Sequence, residues 1–232
     1  MTLAVPKLRS ARTLSTVESN DSNVPDLLIK KAIELYGERG CQAVSGREII
    51  RQAGILNEAA IRYYFGNKQG LLQACMASIA VELEPIIASR WSGLEQRREA
   101  NQGITPRAVV TALLGGMITM YFQHPNAVRL IARMIREEGT VGQDMLLKEL
   151  STTIELFESD LAKLLPQKSP KALRLHSFLA FNSIVNGLVD MPLLERLKPV
   201  EEGTTHFQLQ ANELMKGFID YITAGVSSSS EL

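Results

Sequence analysis

Apolar residues in this chain recur every three to four positions, and nowhere do they alternate as a half-buried strand requires. Leu28, Ile29, Ala32, Ile33, Leu35 and Tyr36 form one such face, which opens at Pro25 and Asp26 behind Ser22 or Asn23 and stops at Gly40. Ser45 starts a second helix with Glu48 three residues on, the spacing of a capping box, and Ile49, Ile50 and Ala53 face inward before Gly54. Residues 57–64 make a third, short helix with Asn57 as cap. Asn67 caps a fourth, which holds Lys68 in its first turn. It runs through Leu71, Leu72, Ala74, Cys75, Ile79, Leu83 and Ile86 to about Trp91, with a kink expected at Pro85.

Beyond it, helices are predicted from Thr105-Pro106 to about His124 and from Pro125 to near Gly139. A third covers residues 142–165, and a fourth runs from Ser169-Pro170 to about Asp190. A short turn from Pro192 to Leu197 and a last helix over about 204–224 complete the pattern. The chain therefore reads as all-α, with about nine or ten helices: an N-terminal three-helix helix-turn-helix domain joined by a long helix to a C-terminal helical bundle. The expected organisation is a flexible arm over 1–24 with Lys7, Arg9 and Arg12, a helix-turn-helix domain over 25–72, a larger domain over 73–226, and a frayed tail over 227–232.

Composition narrows the classes. At 232 residues, 45% of them hydrophobic and 22% charged, the chain can bury a sizeable core. Cys41 and Cys75 make no disulfide framework and read as reduced packing thiols of a cytosolic protein. No signal-peptide-like stretch opens the sequence. The most apolar run, Ala108 to Phe122, falls short of the roughly 20 residues that span a bilayer, so no membrane association is expected. His124, His176 and His206 lie far apart with no metal-ligand spacing, so neither metal nor cofactor is expected. No Ser/Cys–His arrangement or Gly-rich phosphate loop suggests an enzyme. Net charge is zero, but residues 1–75 carry ten basic and seven acidic side chains, a local excess of +3 balanced by −3 in the remainder.

Two short helices with a Gly-bearing turn between them have the shape of a helix-turn-helix. Wound at about 100° per residue, the third helix sends Ile61 and Phe65 inward and Ala59, Arg62 and Tyr63 outward, flanked by Glu58 and Ala60. Small residues permit close approach to a groove, Arg donates two hydrogen bonds to guanine, Asn pairs with adenine, and Glu accepts from cytosine. Tyr hydroxyls suit phosphates. Two readings are open on these residues alone: a duplex-binding face, or a plain packing unit.

The segments AIELYGERGCQAVSGREIIRQAGI and NEAAIRYYFGNKQGLL, within the run from about Ile29 to Gln73, resemble the DNA-binding domain of the TetR family of bacterial transcriptional regulators. The resemblance implies that Ser45, Tyr63 and Lys68 contact phosphates with help from Arg47, and that Asn57, Glu58, Ala59, Ala60 and Arg62 occupy the recognition helix. Two departures stand out. Ile55 and Leu56 fill a turn where the family usually has one residue, and Gly46 stands where the pattern is commonly apolar.

The resemblance further implies a homodimer on palindromic double-stranded DNA, acting by default as a repressor, with C-terminal helices that dimerise and enclose a small-molecule pocket. Phe178, Ala180, Ser183, Ile184 and Gly187, with Leu209, Leu214, Phe218 and Ile219 in the last helix, are the dimerisation candidates; the alternative is that these faces pack within the monomer. Met117, Met120, Tyr121, Phe122, Met134, Phe157 and Phe181 are candidates for an adaptable apolar pocket, with His124, Asn182 and Asn186 to orient a polar group. The alternative is ordinary core. An apolar or amphipathic inducer acting through the fourth helix is expected. The rival functions are an all-α enzyme or carrier, and a DNA-binding dimer controlled by a partner protein.

Overall fold

The computed structural model describes residues 23–194, 196–197 and 211–228. Residues 1–22 of the arm expected over 1–24, residues 204–210 with His206 and Leu209, and the last four residues lie outside them. The described residues form ten helices and no strand: α1 (Val24–Arg39), α2 (Gly46–Gln52), α3 (Ala60–Phe65), α4 (Lys68–Glu99), α5 (Pro106–Gln123), α6 (Pro125–Arg136), α7 (Gly139–Leu164), α8 (Pro170–Val189), α9 (Met191–Leu194) and α10 (Ala211–Ser227).

Side-chain caps fix the starts of four of them. Ser45 Oγ accepts from Glu48 N at 3.2 Å, Asn67 Oδ1 from Gly70 N at 2.8 Å, Thr105 Oγ1 from Ala108 N at 3.3 Å and Ser169 Oγ from Ala172 N at 3.1 Å. Each stabilises its helix by about 1 kcal/mol. Only half of the expected capping box on α2 forms. The Glu48 carboxylate turns to Arg39, 2.5 Å away, because a guanidinium is a stronger partner than a single backbone N–H.

α3 begins later than the pattern suggested. Asn57 is not its cap: Asn57 closes a turn, accepting from Ala59 N at 2.9 Å through Oδ1 and from Ala60 N at 3.0 Å through its carbonyl. Ala59 then stands at the N-cap without a side-chain bond. The Asn side chain prefers this local turn to helix entry. α4, in contrast, extends past Trp91 to Glu99 and runs unbroken through Pro85. Trp91 and Leu94 keep it buried, and Asp160 of α7 holds its far end.

α4 is the spine, packing on α1 and α3 near its start and on α5 and α7 further along, while α10 lies across α5 and α8. By length and composition α4 could cross a membrane. Here its apolar face, Leu71, Leu72, Cys75, Met76, Ile79, Leu83 and Ile87, is buried within the bundle. α1 packs chiefly on α6. The approach is close enough that a Cβ on Gly37 would sit 2.3 Å from the Asn126 carbonyl oxygen. Arg133 of α6 then donates from Nε to Gly37 O and from NH2 to Glu38 O, each at 3.2 Å, which satisfies the carbonyls that α1 leaves open at its end. One apolar core therefore runs from Leu28 to Val226.

Candidate nucleic-acid interface and central cavity

The α2–turn–α3 unit presents one exposed polar face. Gly54 adopts φ +71°, a left-handed conformation that favours glycine, and reverses the chain after α2. The additional turn residue is then divided between core and solvent. Ile55 packs on the core, its N–H donating to Ile50 O at 3.0 Å, whereas Leu56 is 98% exposed. Gly46 has a reason too: Ile61 Cδ1 lies 3.3 Å from where its Cβ would be, so the absent side chain leaves room for α3 to lean on α2.

Ser45, Arg47, Asn57, Glu58, Ala59, Arg62 and Tyr63 are all exposed on this unit. Tyr63 is 77% exposed and stacks edge-on against Tyr64, with ring centroids 4.8 Å apart, which holds its hydroxyl outward. Two candidates are placed otherwise. Ala60 is fully buried, because α3 starts only at this residue and its first residue faces the core. Lys68 is folded onto its own chain: Nζ donates to Cys41 O at 2.5 Å and lies 5.7 Å from the centre of the Tyr36 ring. Arg51, which the sequence reading did not single out, is exposed and lines the same groove as Arg47, Glu58 and Leu56. Its signal was the four-residue spacing from Arg47 on α2. The two carboxylates of this surface differ. Hydrogen bonding to Arg39 holds Glu48 below the usual carboxylate range and neutralises it locally, which leaves Glu58 as the acidic group beside Arg47, Arg51 and Arg62.

A cavity of about 300 Å³ lies between α7 and α8, closed by Leu113 of α5 and Ile135 of α6. Leu146, Leu147, Ile154, Phe157, Phe178 and Phe181 form most of its wall, and Gln143, Thr153, Glu158, Arg174, Ser177 and Asn182 supply the polar groups. Of the expected ligand residues, Phe157, Phe181 and Asn182 line it. Met117, Met120 and Met134 do not; they are fully buried in the core. Tyr121 is half-buried and His124 exposed, 3.8 Å from Glu82, both away from the cavity wall. Asn186 stands behind the wall and donates to Asn182 Oδ1 at 2.6 Å. Glu158, Arg174 and Ser177 escaped the sequence reading. Charges on two separate helices read as solvated faces until the α7–α8 hairpin sets them side by side.

The dimerisation candidates divide similarly. Ala180 and Ile184 are buried within the chain, and Phe218 covers Gly187 so closely that a Cβ there would meet its ring at 2.2 Å. Ser183 and Leu214 are half-buried. These positions join α8 to α10 inside the monomer. Phe178, which also lines the cavity, stays exposed with Leu175 and Leu179 on α8, as do Met215 and Tyr221 on α10.

Residues 28–75 match the model of the bacterial regulatory proteins of the tetR family. The chain is 34% identical over 89 residues to the HTH-type transcriptional regulator BetI 2 of Chromohalobacter salexigens, a stretch covering 38% of this chain and 39% of that protein. Solved structures extend the likeness to the whole fold. The transcriptional regulator FadR from Bacillus subtilis, solved with stearoyl-CoA, superposes with a TM-score of 0.60 at 15% identity, over 87% of this chain and 97% of its own. A TetR-like transcriptional regulator from a Rhodococcus species gives 0.59 at 15% identity over 89% and 97%. Residues 28–75 thus carry an N-terminal domain similar to that of the tetR family of bacterial regulatory proteins, and it heads an all-helical bundle with the fold of solved TetR-like regulators.

Proposed function

We propose that this protein is a ligand-responsive transcriptional regulator, by default a repressor, that binds a palindromic operator as a homodimer and has no enzymatic role. The observation that carries the reading is the exposed face of α2 and α3, where Arg47, Arg62 and Tyr63 project while Ile61 and Ala60 anchor the helix beneath them. Arg62, Asn57 and Glu58 are suited to base edges, and Arg47, Arg51, Ser45 and Tyr63 to phosphates. A twofold partner places a second α3 about 34 Å away, one turn of duplex. The exposed apolar residues of α8 and α10, Leu175, Leu179, Met215 and Tyr221, are the surface for that partner.

The cavity between α7 and α8 takes the effector, an apolar or amphipathic molecule. Ligand binding shifts the population between a form with recognition helices at operator spacing and one with them splayed. Besides α4, α6 supports such coupling. Ile135 lines the cavity, and Arg133, two residues earlier, holds the end of α1.

Selection from a random duplex pool tests the reading. Palindromic winners, bound with an affinity that falls steeply with salt, support it. The absence of any duplex binding at low salt overturns it.

A further inference from the structure

The polar groups of the cavity are unevenly matched. Its wall is largely apolar, yet Ser177 is only 2% exposed and its Oγ has no hydrogen-bond partner. Glu158 Oε1 is also without one, although Arg174 Nε stands 2.7 Å away. At that distance the two charges form an ion pair, which lowers the carboxylate's pKa against the larger effect of its burial. The Glu158 side chain is 12% exposed and that of Arg174 74% exposed. The carboxylate is thus fixed inside the pocket, while the guanidinium stands at its rim and can turn into water at small cost. An unpartnered Ser177 Oγ beside a carboxylate whose ion-pair partner stands at the solvent edge suits a buried N–H donor. Three aromatic rings, Phe157, Phe178 and Phe181, belong to the same wall and favour a cation among them.

We infer that the cavity binds a protonated amine carried on an apolar body, its ammonium group donating to Glu158 and Ser177 while the hydrocarbon fills the space between Leu113, Leu146 and Phe181. The inference rests on the reading of this cavity as the effector site, and it names the head group of the effector. Carboxylates and phosphates are disfavoured by Glu158. Quaternary ammonium compounds carry the charge but no N–H, and leave Ser177 Oγ without a donor. Burial raises the affinity of Glu158 for its proton, against the lowering effect of Arg174. Amine binding therefore weakens as pH falls through a range above that of ordinary carboxylates.

Calorimetry on the full chain tests this with four decyl probes kept below their aggregation concentrations: decylamine, decyltrimethylammonium, decanol and decanoate. Decylamine is expected to bind about tenfold more tightly than decanol or decyltrimethylammonium, with decanoate weakest. Glu158→Gln should remove that tenfold advantage and its pH dependence, and Ser177→Ala should reduce it in part. Thermal unfolding followed by circular dichroism, unchanged from the parent, shows that both variants fold. If decanol binds but decylamine gains nothing over it, or if decanoate binds best, the amine inference is overturned while the cavity reading stands. If no probe binds, and Ile154→Trp, which fills the space, changes nothing, both are overturned.

Discussion

At the scale of single residues, the side chains divide into those committed to the fold and those left free. Arg62 and Tyr63 are free. Arg62→Ala is expected to cost about 1–3 kcal/mol of operator binding and to relax preference at one base pair. Tyr63→Ala should weaken binding evenly across sequences; fluorescence anisotropy against operator and scrambled duplexes separates the two. Lys68 is committed. Its bond to Cys41 O and its place over Tyr36 mean that Lys68→Ala should lower stability by about 1 kcal/mol in urea denaturation, which Arg47→Ala should not do.

Asp160 is committed to the fold. Only 1% exposed, it accepts from Trp91 Nε1 at 3.1 Å and pairs with Arg98 at 2.9 Å and Lys163 at 3.0 Å. Burial alone would raise its pKa, but the bonds from Arg98 and Lys163 outweigh it and hold the carboxyl below the usual aspartate value. A depressed folded-state pKa contributes stability that is complete above the unfolded value and is lost as pH falls through the folded one. Trp91 is the chain's single tryptophan, so its fluorescence reports this node directly. The emission should stay constant through the ordinary carboxylate range and change only below it, and Asp160→Asn should remove the step.

At the scale of elements, helix starts were legible wherever the cap was local. Ser45, Asn67, Thr105 and Ser169 cap as their sequence context indicates, because a cap needs only three residues. The exceptions have non-local causes. α3 starts late because Asn57 satisfies a turn first, and α4 outlasts Trp91 because Asp160, on another helix, anchors it. The junction of α1 and α6 was not legible. Gly37 and Arg133 are far apart in sequence, and neither shows from its neighbours that it completes the other helix's end. Gly37→Ala is expected to destabilise by about 1–3 kcal/mol, since backbone and not a flexible side chain occupies the space. Arg133→Met should leave ligand affinity in place while reducing ligand-induced operator release; equal release in both proteins would place the coupling in α4 instead.

At the scale of the molecule, apolar side chains of α8 and α10 stand uncovered in the single chain, and the proposed dimer would cover them. Leu179→Glu with Tyr221→Glu is expected to convert the species seen in sedimentation from dimer to monomer, with operator affinity falling in parallel. Retention of the dimer would move the interface elsewhere, to the surface around Val81 and Phe122, which are also exposed.

The sequence by itself determined the helical class, most element starts and the identity of the α2–α3 unit, because periodicity, capping and turn glycines act over a few residues. It also contained the outward set of Arg62 and Tyr63, since one helix's own geometry decides which way they point. Tertiary structure alone decided that Ala60 and the three methionines belong to the core and that Lys68 turns inward. It also set Glu158, Arg174 and Ser177 around a single cavity. Each of those outcomes depends on which helix lies opposite, and the pairing of distant helices comes from the total apolar area they bury together, a quantity spread over the chain and written at no one position.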